Sequence, residues 1–208
     1  MVDKETVRRG YDEIAETYAA DRAEGGRERE ILARFVGDLP DSARVLDAGC
    51  GGGMPVLADL SESAAAVGTD ISRTQLDLAA DAVPDAALAQ GDLAALPFRD
   101  GAFDAVTAFH SLIHVPRDQH RSVVGEFARV LTDGGRVLLS EGIDEWRGTN
   151  PDWLDAGVEM EWHVAGADAT REHLRDAGFA VEAERRVRDS LDDGNDAQWA
   201  FFAARLEE

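Results

Sequence analysis

The sequence predicts a three-layer α/β fold built on a mostly parallel, seven-stranded sheet. From about residue 26 onward, short apolar runs typical of strands alternate with stretches that have helical spacing. The apolar runs are nearly continuous, as expected for strands that helices cover on both faces. With 208 residues, the chain has the length of one domain with a substantial core.

Five strands and three helices follow from this pattern. The strands, in chain order, are RVLDAG, AAAVGTD, AALAQGD, FDAVTAFHSL and GGRVLLSEG. Helical spacing predicts helices over residues 26–38, 72–82 and 117–131. Ser72 can cap the start of the second helix, and a turn at Gly134 and Gly135 is expected to end the third.

The alternation breaks after the fifth strand. Residues 142–168 hold three of the four tryptophans and are predicted to be an insertion. Their aromatic side chains could hold a cationic amine or simply form a small satellite core. A helix from about Asp168 to Ala177 then leads into FAVEAERRVR and AQWAFFAARL, which are joined by the turn-rich run DSLDDGND. These last two runs are predicted to form an antiparallel hairpin that completes a single domain over residues 1–208.

The charge balance is strongly acidic. The chain has 42 acidic and 21 basic residues, a formal net charge of -21, and Lys4 as its only lysine. Such a surface repels itself and phosphate backbones at low ionic strength, whereas molar salt shortens the Debye length to about 3 Å. The composition resembles that of cytoplasmic proteins from salt-loving archaea. It therefore indicates salt adaptation and argues only weakly against a nucleic-acid partner.

Cysteine content and hydropathy bear on the compartment. Cys50 is the only cysteine, so an internal disulfide is excluded, and no cysteine or histidine cluster has the spacing of a zinc site. Residues 1–30 are charged, and no apolar run approaches the roughly 20 residues that span a membrane. We therefore expect no metal, no membrane association and a cytoplasmic location.

The run RVLDAGCGGGMP places four glycines directly after a predicted buried strand. In open α/β sheets, ligands lie beyond the carboxyl ends of strands, and glycine lets the backbone approach them closely. The dinucleotide fingerprint G-x-G-x-x-G fails here, because its third glycine would fall on Met54 or Val56. The pattern that fits is D-x-G-x-G-x-G, filled by Asp47, Gly49, Gly51 and Gly53.

This glycine loop resembles motif I of the class I S-adenosylmethionine-dependent methyltransferases, in particular the small-molecule type. The resemblance continues along the chain, with Asp70 ending the second strand and Asp92 ending the third. RVLTDGGRVLLSE is similar to the helix, turn and strand that follow in the family. The resemblance covers roughly residues 5–141 and implies a Rossmann-like three-layer sandwich with S-adenosylmethionine as the cofactor.

The resemblance also implies which residues bind this cofactor. Asp70 would accept both ribose hydroxyls, and Asp92 would receive the adenine amino group. Ile71 would pack on the adenine face, while the amide of Leu93 would serve a ring nitrogen. Taken singly, each acid could instead be an N-cap or a solvated loop carboxylate. The predicted cofactor-binding set is Asp47, Gly49, Cys50, Gly51, Gly53, Asp70, Ile71, Asp92, Leu93 and Phe109.

Two histidines and two tyrosines are the candidates for proton transfer. His110 and His114 lie four positions apart after the fourth strand, so one helical turn would put them on the same side. YDEIAETYA resembles the N-terminal helix that closes over the cofactor in the family, and Tyr11 and Tyr18 share one of its faces. The family implies a base made of His114 with Tyr18 or Tyr11; alternatively, the histidines cap the next helix or bond a backbone carbonyl. The predicted catalytic residues are His114, His110 and Tyr18.

The resemblance implies methyl transfer to a nitrogen, oxygen or sulfur atom of a small molecule by in-line displacement. The Asn/Asp-Pro-Pro-aromatic motif of enzymes that methylate exocyclic or amide nitrogens is absent, since this strand end reads FHSL. Residues 1–25 would form a cap helix and residues 142–168 a substrate lid. Scattered arginines disfavour a nucleic-acid partner. The alternatives are an RNA or protein methyltransferase of the same fold, a non-catalytic S-adenosylmethionine-binding module, and a nicotinamide-dependent oxidoreductase.

Overall fold

A computed structural model describes residues 3–15, 17–18, 26–188 and 198–207 of the chain. The elements with defined bounds, in chain order, are α1 (Lys4–Glu13), α2 (Arg27–Gly37), β1 (Arg44–Ala48), α3 (Val56–Ser61), β2 (Ala65–Asp70), α4 (Arg73–Ala82), β3 (Ala87–Gln90), β4 (Phe103–Ala108), α5 (Arg117–Val130), β5 (Leu131–Gly142), β6 (Trp146–Trp153), β7 (Val158–Val164), α6 (Ala167–Asp176), β8 (Phe179–Arg188) and β9 (Gln198–Leu206).

Seven of these strands form one sheet in the order β3-β2-β1-β4-β5-β9-β8. Strands β1 to β5 run parallel, and β9 lies antiparallel between β5 and β8. The predicted mostly parallel, seven-stranded sheet with an antiparallel C-terminal hairpin is therefore confirmed. The strand order changes direction between β1 and β4, so the carboxyl ends of these strands flank the crevice where such sheets bind ligands.

Helices cover both faces of the sheet because consecutive residues of a strand point to opposite sides. On β1, Leu46 belongs to a buried cluster with Phe127 of α5 and Leu174 of α6. Its neighbour Val45 belongs to a second cluster, which includes Leu32 of α2. Both β1 side chains are fully buried. This is the three-layer arrangement that the continuous apolar runs predict.

The long helices agree with the sequence pattern except at one end. The Ser72 hydroxyl accepts a hydrogen bond from the Gln75 amide at 3.0 Å and caps α4 as predicted. The prediction that the next long helix ends at Gly134 and Gly135 is wrong, because α5 ends at Val130 and both glycines lie within β5. Gly134 has a φ of 70°, and the pairing register of β5 on β4 is irregular in this part of the strand. These glycines accommodate an irregularity inside a strand.

The insertion at residues 142–168 folds largely as a separate antiparallel hairpin of β6 and β7. The hairpin packs against α1, where Val7 and Met160 share a small buried cluster. Gly10 permits this close contact, since a Cβ there would lie 3.0 Å from the Met160 side chain. Strand β6 has no apolar alternation, and all of its residues are exposed or half-buried, whereas β7 alternates between apolar and polar residues as VEMEWHV.

Two parts of the predicted organisation lie partly outside the described residues. Of the predicted cap at residues 1–25, α1 is described, whereas residues 1–2, 16 and 19–25 are not. The run DSLDDGND between β8 and β9 also falls outside. Among the helices that are described, none has the length and apolar character needed to cross a membrane.

Candidate active site

A cavity of about 90 Å³ lies between α1 and the carboxyl ends of the parallel strands. Polar contacts hold α1 over it; among them, the Ser72 hydroxyl donates to Asp12 at 2.5 Å, and the Gln75 side-chain amide donates to the Tyr11 carbonyl at 3.3 Å. This volume is smaller than the roughly 300 to 1,000 Å³ that sites for drug-sized ligands enclose. Ten predicted site residues line the cavity: Tyr18, Gly49, Gly51, Asp70, Ile71, Asp92, Leu93, Phe109, His110 and His114.

The glycine loop forms the floor of this cavity. Gly49 has a φ of 81° and Gly51 a φ of 51°, a region of backbone conformation that glycine adopts without strain. A Cβ on Gly49 would lie 2.4 Å from the Cβ of Ser111, so no side chain fits there. The loop is anchored to β2, because the amides of Gly49 and Cys50 both donate to the Thr69 carbonyl, at 2.8 and 3.0 Å. This anchoring fixes the loop backbone at the cavity, where Gly49 and Gly51 are available for contact with a ligand.

Asp70 lies at the end of β2, beside the glycine loop. Its two carboxylate oxygens accept hydrogen bonds from the amides of Gly51, at 3.0 Å, and Ser72, at 2.9 Å. Burial raises the pKa of Asp70, against the lowering effect of these amide donors. Each oxygen keeps a further lone pair, so the carboxylate can still accept hydroxyl donors from a ligand in the cavity.

Three predicted cofactor-binding residues, Asp47, Cys50 and Gly53, are not among the cavity-lining residues. Asp47 is buried and accepts a hydrogen bond from the Thr107 hydroxyl at 2.8 Å, and burial raises its pKa to about 7. Burial also raises the pKa of the Cys50 thiol, so this group stays protonated and packs as a small core side chain. Gly53 packs against Ala79 of α4. These three residues therefore support the loop and do not line the cavity.

Asp92 connects three elements at the other end of the cavity. One carboxylate oxygen accepts a hydrogen bond from the Ala94 amide at 2.9 Å, and the other accepts a hydrogen bond from the Lys4 ammonium group at 2.5 Å. Lys4 also donates to the Gln119 side chain at 2.7 Å. The sequence motifs did not predict that Lys4 and Gln119 lie at this site. The only signal was that the single lysine of the chain lies in the N-terminal helix.

The tyrosine that bonds His114 is Tyr11. Its hydroxyl lies 2.8 Å from Nε2 of His114, while the edge of the Tyr18 ring packs against the Tyr11 ring at 5.1 Å between centroids. Nδ1 of His114 lies 3.2 Å from the Glu161 carbonyl oxygen, which can only accept a hydrogen bond. Neutral His114 therefore carries its proton on Nδ1, and Nε2 accepts the proton of the Tyr11 hydroxyl.

His110 reaches the cavity through an unusual backbone conformation. The expected helical turn from His110 to His114 is wrong, because only residues 112–114 form a short 3₁₀ helix and His110 has a φ of 53°. Its amide donates to the Ser140 hydroxyl at 2.7 Å, and its Nε2 lies 3.0 Å from a carboxylate oxygen of Glu28. Glu28 was missed by the sequence motifs, since it belongs to α2 and lies 82 positions away.

Two buried polar atoms in the cavity wall have no hydrogen-bond partner among the described residues. They are Oε1 of Gln75 and the hydroxyl oxygen of Ser111. Buried polar atoms without partners are rare in folded proteins, and they fit a cavity that receives a polar ligand. Together with the glycine cradle and the acids at the strand ends, they match the amino-acid and ribose groups of S-adenosylmethionine in chemistry.

Comparisons with known proteins identify the family of the chain. Residues 46–139 match the family described as "Methyltransferase domain". The chain is 33% identical over 173 residues to the 27-O-demethylrifamycin SV methyltransferase of Amycolatopsis mediterranei, covering 76% of this chain and 62% of that protein. It is 29% identical over 183 residues to the tRNA (carboxymethyluridine(34)-5-O)-methyltransferase of Arabidopsis thaliana, covering 86% and 44%. The chain thus spans about half the length of these curated relatives.

The fold is shared with solved methyltransferases. The magnesium protoporphyrin IX methyltransferase of Synechocystis PCC 6803, solved with bound SAH, aligns with a TM-score of 0.76 at 19% identity, covering 99% of this chain and all of the other. This structural match covers nearly the whole chain, whereas the family match covers residues 46–139. The chain belongs to the class I S-adenosylmethionine-dependent methyltransferases.

Proposed function

We propose that the protein transfers the methyl group of S-adenosylmethionine to a nitrogen, oxygen or sulfur atom of a small molecule. The observation that carries this proposal is one cavity in which the glycine loop and two strand-end carboxylates meet two histidines. When bound, the cofactor supplies a methyl group on a positively charged sulfur that is already a good leaving group. The chain's own residues then have to align the reactants, exclude water and remove a proton.

The binding residues supply most of the alignment. Gly49 and Gly51 admit the cofactor backbone, Asp70 accepts its ribose hydroxyls, and Asp92 accepts its adenine amino group. Ile71, Leu93 and Phe109 enclose the adenine. Holding two reactants in line is worth about 7 to 11 kcal/mol of activation free energy. Removing a proton from the acceptor adds roughly 10² to 10⁴-fold.

Two histidines at the mouth of the cavity, each hydrogen-bonded to a partner side chain, are the groups that accept this proton. Tyr11 with His114, and His110 with Glu28, both join a ring nitrogen to a partner on a helix that covers the site. Tyr18 packs on Tyr11 and narrows the mouth. The hairpin of β6 and β7 serves as the substrate lid, since its Glu161 carbonyl fixes the His114 ring.

The enclosed site favours a small acceptor. The cavity lies beneath α1, which restricts the approach of a large acceptor. One relative, the 27-O-demethylrifamycin SV methyltransferase, is named for a small-molecule acceptor. The tRNA methyltransferase relative favours RNA as the second candidate acceptor. The lone cysteine and the acidic composition support a reducing, salt-rich cytoplasm as the location.

The test is methyl transfer from labelled S-adenosylmethionine in molar potassium chloride, with a small-molecule metabolite extract and with total tRNA as separate acceptors. We expect label in the small-molecule fraction, and less label with an Asp70→Ala variant at a cofactor concentration below saturation. Label in tRNA alone would establish RNA as the acceptor. Tight binding of S-adenosylhomocysteine without any transfer would favour a non-catalytic binding module.

A further inference from the structure

We infer that Lys4 is a positioning residue for Asp92, and that its ammonium group holds this carboxylate where the adenine amino group of the cofactor donates to it. The inference rests on the proposed function, in which Asp92 accepts that amino group, and it adds a residue of α1 to the recognition of adenine. Lys4 and Asp92 both line the cavity, although they are 88 positions apart in the chain.

The carboxylate of Asp92 is held at both of its oxygens. Oδ1 accepts a hydrogen bond from the Ala94 amide at 2.9 Å, and Oδ2 accepts one from the Lys4 ammonium group at 2.5 Å. The backbone is also fixed, because the Asp92 carbonyl accepts a hydrogen bond from the Ala95 amide at 2.9 Å. The remaining freedom is rotation of the side chain, which the contact with Lys4 restrains. Each oxygen keeps a further lone pair, so the restrained carboxylate can still accept an amino group.

Lys4 is itself held in place by contacts with two other elements. Its ammonium group donates to Oε1 of Gln119 in α5 at 2.7 Å as well as to Asp92. At the start of α1, the side chain of Asp3 caps the helix by accepting hydrogen bonds from two backbone amides. The amide of Asp3 donates to the Glu161 side chain of β7 at 2.8 Å. Helix α5 and the hairpin thereby fix where the ammonium group lies.

The position of Lys4 is unfavourable for the helix alone. Lys4 is the first residue of α1, where a positive charge opposes the helix dipole. It is also the only lysine among the 21 basic residues of the chain. Lysine carries a compact ammonium group with three donors, whereas the guanidinium group of arginine is a broad planar fork. The contacts with Asp92 and Gln119 use two of these donors and offset the unfavourable position in the helix.

The contact with Lys4 matters only for ligands that carry the adenine amino group. Without the ammonium group, Oδ2 of Asp92 has no hydrogen-bond donor among the described residues, and the side chain is 35% exposed. An adenine amino group then meets a carboxylate that must first be ordered, at a cost in conformational entropy. Lys4 orders the carboxylate before the cofactor binds, which lowers this cost.

The first experiment compares two ligands by calorimetry in molar potassium chloride: S-adenosylhomocysteine and its purine analogue, in which a hydrogen atom replaces the adenine amino group. We expect the wild-type protein to bind S-adenosylhomocysteine at least about tenfold more tightly, since the analogue lacks a hydrogen bond to a charged acceptor. In Lys4→Met and in Asp92→Ala, this ratio of affinities should fall below about threefold. Arg9→Met removes a positive charge at an exposed position of the same helix and should keep the wild-type ratio.

A contact that merely stabilises α1 would change the affinity for both ligands equally. An unchanged ratio in Lys4→Met, whatever the change in the two affinities, would therefore overturn the inference. An unchanged ratio in Asp92→Ala would also overturn it, since the amino group would then not contact that carboxylate. Methyl transfer is measured separately, so its absence would refute the proposed function while the ratios still decide the role of Lys4. No binding of either ligand by the wild type would overturn both.

The second experiment observes Lys4 directly by NMR with ¹⁵N-labelled lysine. Because the chain has one lysine, the signal of its side-chain nitrogen needs no assignment. We expect this signal to shift when S-adenosylhomocysteine binds, and to shift less with the purine analogue. In Asp92→Ala, the signal should move to the chemical shift of a free lysine side chain. A signal that does not respond to S-adenosylhomocysteine would overturn the inference.

Discussion

Glu141 gives the sharpest prediction about stability. It lies at the end of β5, is fully buried, and has one carboxylate oxygen without a hydrogen-bond partner among the described residues. That oxygen faces Nδ1 of His120 at 3.8 Å, an atom that is buried and also without a described partner. Burial raises the pKa of Glu141 to about 8 and lowers the pKa of His120 to about 4. Both groups are therefore neutral near pH 7.

The direction of the change in stability with pH follows from proton binding by the folded and unfolded states. Between the ordinary carboxyl value of 4.5 and about 8, the folded protein keeps the Glu141 proton and the unfolded chain releases it. The stabilising effect of this difference is complete below pH 4.5 and is lost as the pH rises through about 8. An interval of about 3.5 pH units at 1.36 kcal/mol per unit sets a ceiling of about 5 kcal/mol.

Glu141→Gln should remove this loss, because the amide stays neutral and its oxygen can still accept the Gly142 amide, a bond of 3.0 Å in the native protein. We expect the variant to gain stability over the wild type steadily from about pH 5 to about pH 8, by up to about 5 kcal/mol. Urea unfolding at each pH in molar potassium chloride measures this difference. Asp47, whose pKa is also raised, is common to both proteins and cancels.

The matched control is Glu159→Gln, at an exposed position in the hairpin. Its stability difference from the wild type should stay flat with pH. The reasoning about Glu141 is refuted if the Glu141→Gln difference is equally flat over the same interval.

Three further predictions address the cavity. Asp70→Ala should weaken S-adenosylhomocysteine binding about tenfold to a hundredfold in calorimetry, because charge-assisted hydrogen bonds are lost. Gly49→Ala should lower the melting temperature by at least about 4 °C, since the residue has a φ of 81° and its new Cβ would lie 2.4 Å from Ser111. Tyr11→Phe should lower turnover about tenfold with cofactor affinity nearly unchanged, because it removes only the hydroxyl that bonds His114.

Each of the three has a control in the same chain. Asp85→Ala, at an exposed loop, should bind as the wild type does. Gly125→Ala, on a helix with nothing within 4 Å of the new Cβ, should stabilise by about 0.5 to 1 kcal/mol. Tyr18→Phe should affect turnover less than Tyr11→Phe. Equal effects in a variant and its control would count against the corresponding role.

The fold and the cofactor end of the site were predictable because they depend on local sequence. Strand ends of a parallel sheet meet at one edge, so Asp70, Asp92 and the glycine loop come together once the strands are known. The cap at Ser72 is equally local, since its hydroxyl bonds an amide three residues on.

The catalytic end was only partly predictable, because it depends on contacts distant in sequence. The pair of Glu28 and His110 forms only after α2 packs beside β4 and β5. The left-handed backbone of His110 carries no glycine or asparagine that would signal it. The choice of Tyr11 over Tyr18 follows from how α1 docks on the hairpin, and strand β6 of that hairpin has no alternating pattern in the sequence.

Calorimetric titration in molar potassium chloride with S-adenosylhomocysteine and, separately, with NAD tests the central claim most directly. The account predicts saturable binding of one S-adenosylhomocysteine per chain, weakened in Asp70→Ala, and no binding of NAD. Saturable NAD binding with no heat from S-adenosylhomocysteine would contradict it.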